Sequence, residues 1–89
     1  MNIIELISLG SNILKKKNIQ SHVLDSEILL SKTLNKPREY ILINLNEKIN
    51  EKNILKYKKY IERRTKHEPI AYILEEKEFW SKKFKVNKN

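Results

Sequence analysis

The chain has 89 residues, 39% of them hydrophobic and 34% charged, with one glycine, two prolines and no cysteine. A single glycine excludes the glycine-rich loops that crowd backbone N–H groups around cofactor phosphates or carboxylates, and the lack of cysteine excludes disulfides, thiolate nucleophiles and cysteine zinc sites. Nineteen Lys+Arg against 11 Asp+Glu give a formal charge of +8, which speaks for nucleic acid or an acidic partner.

Residues 2–17 carry Ile3, Leu6, Ile7, Ile13 and Leu14 at spacings near 3.6, which predicts an amphipathic helix. Lys15, Lys16 and Lys17 close it where cations suit the negative end of the macrodipole. Gly10 in its middle costs about 1 kcal/mol against alanine, so a close approach by another helix is expected there. Ser21 is the expected cap of a second helix, 22–35, with an apolar stripe of Leu24, Ile28, Leu29 and Leu34. Pro37 fits the first turn of a short third helix running through Ile41, Leu42 and Leu45.

Asn50 is the expected cap of a fourth helix reaching about Lys66, whose apolar arc is Ile54, Tyr57, Tyr60 and Ile61. The opposite arc is Lys52, Lys56, Lys59, Arg63 and Lys66, a straight basic ridge. Arg64 falls inside the apolar arc, where it is expected to pair with Glu68 or to extend its head outward. Glu68-Pro69 ends this helix, and Pro69 starts a short fifth one from Ile70 to Leu74. The period then changes, and 77–86 reads as a β-hairpin with Phe79 and Phe84 on one face.

The expected fold class is therefore all-α: a small bundle of four to five helices followed by a short carboxy-terminal β-hairpin. Residues 1–75 form the helical domain, and 76–89 form the hairpin and a linker. A lone hairpin is marginal in water, so Phe79, Trp80 and Phe84 call for a neighbour to pack on. The chain reads as one cut at a domain boundary. Its amino terminus has no basic segment ahead of an apolar one, and no apolar run approaches the roughly 20 residues of a membrane span. Cytoplasmic residence is expected, with no membrane partner.

Chemistry-bearing residues are sparse. Asp25 is the only aspartate and reads as part of a solvated helix face; Glu27 points elsewhere, so no carboxylate pair forms. His22 and His67 stand alone, without Asp, Glu or His at ligand spacing, so no metal site is expected. His67 reads as a partner for the last carbonyls of its helix. No serine has a histidine and an acid at hand, so no catalytic residue is assigned.

The basic ridge is the leading surface feature, against a merely solvated face. Residues 51–89 hold 12 basic and 6 acidic side chains, whereas 1–50 hold 7 and 5. Part of that excess can also come from an A/T-rich genome, because Lys, Ile and Asn number 16, 13 and 10. Tyr57 and Tyr60 lie on the far side of the helix, so the ridge lacks the interleaved aromatics of single-strand binding. The turn Asn35-Lys36-Pro37 lacks a glycine and the helix after it is mostly apolar, which disfavours helix-turn-helix binding of DNA.

The stretch from Arg63-Arg64 through Glu68-Pro69-Ile70-Ala71 to Glu78-Phe79-Trp80-Ser81 and Phe84-Lys85-Val86 resembles the HemK/PrmC family, and Asp25-Ser26-Glu27-Ile28-Leu29-Leu30 is similar to a helix of that family. Its members methylate the side-chain amide of a glutamine in peptide-chain release factors. The family often has glycine where this chain has His67 and Glu75.

The resemblance implies the amino-terminal, substrate-binding domain of an S-adenosylmethionine-dependent methyltransferase acting on the glutamine of a Gly-Gly-Gln motif. It also implies that donor-binding and catalytic motifs belong to a downstream domain, so these 89 residues hold no cofactor and are expected to be inactive alone. The expected partners are release factors and the protein's own catalytic domain. The candidate release-factor contacts are Lys52, Lys56, Lys59, Arg63 and Lys66, because release factors offer acidic surface; the candidate interdomain contacts are Phe79, Trp80 and Phe84. The reading of another class is a free-standing basic helical module that binds RNA or DNA.

Overall fold

The computed structural model describes residues 1–75, which form five helices: α1 (Ile3–Lys16), α2 (His22–Leu34), α3 (Arg38–Ile43), α4 (Glu51–Thr65) and α5 (Ile70–Glu75). The order and the approximate bounds follow the apolar periodicity. The expected fold class is corrected in one respect. The fold consists of helices alone, with no strand among the described residues beyond a single antiparallel bridge between Asn2 and Lys48. A two-stranded ribbon is marginal without a sheet to join, and the described residues form none. The hairpin expected at 77–86, with Phe79, Trp80 and Phe84, lies outside the described residues.

Local chemistry sets the helix ends. Asn2 accepts from the N–H of Glu5 at 3.0 Å while Glu5 Oε1 accepts from the N–H of Asn2 at 2.9 Å, a reciprocal capping box. The N–H groups of Ile3 and Ile4 go to the carbonyls of Glu47 and Leu45, both at 3.0 Å, so the 45–49 segment clamps the start of α1. Asn50 caps α4 as expected, accepting from the N–H of Asn53 at 2.8 Å. Asn18, Asn35 and His67 end α1, α2 and α4 in the left-handed region, with φ of 63°, 56° and 62°. His67 thus occupies a conformation that glycine takes most easily. Its backbone N–H, rather than its ring, reaches the Arg64 carbonyl at 2.8 Å.

The core joins Ile3, Leu6 and Leu14 of α1, Leu29 and Leu30 of α2, Ile41 of α3, Tyr57 and Ile61 of α4 and Ile73 of α5. Gly10 sits where α1 meets α4 and α2. A Cβ there would lie 2.9 Å from Ile61 Cδ1, 3.1 Å from Ser26 Oγ, and nearer still to Tyr57 Oη. The close approach expected from a mid-helix glycine is present. The Tyr57 hydroxyl donates to the Leu6 carbonyl at 3.0 Å, and burial pushes its pKa well above the usual phenol value.

α2 is rotated from its expected setting. Its buried residues are Asp25, Ser26, Leu29, Leu30 and Thr33, while Leu24 is 43% exposed. The hydroxyls of Ser26 and Thr33 donate to the carbonyls four residues earlier, at 2.7 and 2.8 Å, which satisfies them inside the bundle.

A candidate docking ridge on α4

The ridge exists because Lys52, Lys56, Lys59, Arg63 and Lys66 follow one another at steps of four and three along α4 and just past its end. The structure separates these five residues into two groups. Lys52, Lys59 and Lys66 are exposed, and Lys56 and Arg63 are partly buried. Arg63 is engaged by its own chain: its Nε donates to Glu68 Oε1 at 2.9 Å and its Nη2 pairs with Glu68 Oε2. This two-point grip holds the Glu68 carboxyl below the ordinary carboxylate range, by hydrogen bonding first and by charge second.

The pairing expected for Arg64 therefore belongs to Arg63. Arg64 instead donates through Nε to Asp25 Oδ2 at 2.9 Å and through Nη1 to the Glu68 backbone carbonyl at 3.0 Å. Asp25 is thus not on a solvated face. It is 4% exposed and accepts a second hydrogen bond from Ser21 Oγ at 2.9 Å. The hydroxyl of Ser21 serves Asp25 rather than capping α2. One aspartate in the first turn of α2 thereby fixes the end of α4 and the turn into α5. Lys32 adds a bond from Nζ to the Leu74 carbonyl at 3.2 Å and lies 5.7 Å from the centroid of the Tyr60 ring.

Among the described residues, one hydroxyl–imidazole contact stands out. Ser11 Oγ and His22 Nδ1 come to 2.7 Å, a contact that sequence spacing did not signal, but no carboxylate orients the ring among the described residues. Among those residues no three His, Cys, Asp or Glu side chains are grouped to hold a metal. The chain's one glycine is a helix-crossing point filled by Tyr57 and Ile61, so it offers no backbone cradle. Among the described residues no helix is long and apolar enough to cross a membrane.

Three further features went unforeseen in the sequence. The Asn2–Glu5 capping box was legible as an Asn-x-x-Glu pattern ahead of an apolar run. The Asp25–Arg64 pair, 39 residues apart, carried no local signal. The groove between α1 and α4 also escaped notice; it encloses about 500 Å³ over Gly10, Tyr57 and Ile61.

The sequence matches one family of known proteins. The model of the PrmC N-terminal domain family matches residues 5–74. A bifunctional methyltransferase of Rickettsia felis is 51% identical over 85 residues, covering 96% of this chain and 16% of the relative. Release factor glutamine methyltransferases of Leptospira interrogans and Haemophilus influenzae are 39% and 42% identical, over 99% and 88% of this chain and 31% and 27% of their own lengths. The chain thus spans less than a third of the length of each of these relatives. No solved structure matches it. With helices, caps and the Arg63-Arg64…Glu68-Pro69 turn in place across the matched residues, the chain belongs to the PrmC N-terminal domain family.

Proposed function

We propose that this domain docks peptide-chain release factors for an S-adenosylmethionine-dependent methyltransferase that modifies the glutamine of their Gly-Gly-Gln motif, the chemistry being done by a separate catalytic domain. The observation that carries this reading is the row of lysines on α4 in a chain of this family. Lys52, Lys59 and Lys66 are exposed and make no ion pair among the described residues. Such a row attracts an acidic surface, steers encounter and fixes register. Lys56 and Arg63, both partly buried, complete the row, and the Arg63 guanidinium is also bonded to Glu68. Attachment to the catalytic domain is assigned, on sequence alone, to Phe79, Trp80 and Phe84.

Calorimetric titration of the 89-residue chain with a release factor tests the reading. The pair Lys52→Glu and Lys59→Glu should weaken binding about tenfold or more at low salt, with the gap closing as ionic strength rises. An unchanged dissociation constant removes the ridge from the interface. Saturable binding of S-adenosylmethionine by this chain contradicts the assignment of the chemistry to another domain. A salt-sensitive RNA shift that the double variant abolishes, without release-factor binding, establishes the basic-module alternative in its place.

A further inference from the structure

We propose that the groove between α1 and α4 is a second docking surface, built to take an acidic amphipathic helix of a partner protein. The inference deepens the docking reading above by naming a contact of different chemistry on the other flank of α4, and it does not require the lysine ridge.

The floor of the groove is Gly10, Tyr57 and Ile61, and its wall on α1 is Leu9 and Ile13, both left partly exposed. The missing side chain at Gly10 shapes the floor, since it is what allows Tyr57 and Ile61 to close on α1 there. On the α1 side Leu9, Ile13 and Lys17 follow at steps of four, so the groove runs along the helix for about 12 Å at 1.5 Å per residue, or roughly two helical turns. A cavity of about 500 Å³ holds the two or three large apolar side chains that one face of such a helix presents.

A helix is the occupant that fits. Both walls are helices whose backbone groups are bonded within themselves, so an extended strand would find no edge to pair with, whereas a helix brings its own hydrogen bonds satisfied. Charge selects its polar face. Lys17 and Lys58 flank the mouth from opposite walls, both exposed and neither in an ion pair among the described residues. Glu62 is the single acid at the mouth. An apolar stripe flanked by Asp or Glu satisfies floor and rim together, and a basic helix meets two like charges.

The test uses the isotope-labelled full chain and a capped 16-residue helical peptide with leucine at i, i+4 and i+7 and glutamate on its flanks. Chemical-shift titration should be saturable and should move Leu9, Ile13, Lys58, Ile61 and Glu62. Peptides with serine for leucine, or lysine for glutamate, should lose binding. The double variant Lys17→Glu, Lys58→Glu should weaken binding about tenfold, whereas Glu62→Lys should tighten it several-fold, opposite signs that a purely structural role does not produce. Ile13→Gln, at a partly exposed wall position, gives a variant that keeps its helical spectrum and loses affinity. Shifts that map to Lys52 and Lys59 instead, equal binding of the basic peptide, or concentration-dependent shifts at the groove without peptide (a second copy as occupant) each overturn the proposal. Because Lys17 and Lys58 lie off the ridge, failure here leaves the Lys52/Lys59 test standing, and failure there leaves this one.

Discussion

Where α1 meets α4, the contact is made by Gly10, Tyr57 and Ile61, with one buried hydroxyl donating to the Leu6 carbonyl. At the end of α4, the turn into α5 is held by charge: Asp25 on Arg64, Arg64 on the Glu68 carbonyl, and Arg63 on the Glu68 side chain. The first contact is steric and rests on what is absent, a Cβ. The second is electrostatic and rests on several donors and acceptors being present together. Each therefore fails differently. An apolar crossing loses stability in proportion to the misfit, whereas a buried ion pair that loses one member leaves the other desolvated and unpaired.

That contrast sets the order of the expected effects. Asp25→Ala should be the most damaging, costing about 3–5 kcal/mol, because Arg64 is left with its side chain only 17% exposed. Urea unfolding measures it, and the double variant Asp25→Ala, Arg64→Leu should recover part of the loss. A cost below that of the Gly10 variant would break the contrast. Gly10→Ala should come next, at about 1–3 kcal/mol, since the misfit against Tyr57 and Ile61 outweighs the roughly 1 kcal/mol of helix propensity gained. A stabilised variant would show that Tyr57 can withdraw at no cost.

The smallest effect concerns pH. Glu68 has a lowered pKa in the folded chain, so its pair with Arg63 contributes stability that is fully present above the ordinary carboxylate value of 4.5 and is lost as pH falls through the lower folded value. Glu68→Gln should flatten this part of the acid limb, as followed by unfolding midpoints between neutral and acid pH. An unchanged limb would mean that the pair is solvated away.

The two regions also differ in how far the sequence revealed them. The crossing was legible at Gly10, because a glycine in the middle of an apolar periodicity needs a packing reason. The ionic turn was legible only in its punctuation, Glu68-Pro69 and the two arginines. Which arginine takes which acid depends on α2 lying beside the end of α4. The rotation of α2 was hidden for a related reason. Hydropathy places Ser26 and Thr33 outside, yet each satisfies its hydroxyl on its own helix and so enters the core, leaving Leu24 exposed. Of the ridge, the spacing was readable and the pairing of Arg63 with Glu68 was not.

The sequence alone determined the five helical segments, the Asn50 cap, the turn at Pro69 and the row of lysines, because periodicity, capping and proline stereochemistry act within a few residues. It also carried the family resemblance through its motifs. Only the tertiary structure decided the partners of Asp25, Arg63 and Arg64 and the groove over Gly10, because each depends on side chains brought together from separate helices, by geometry that no local pattern records.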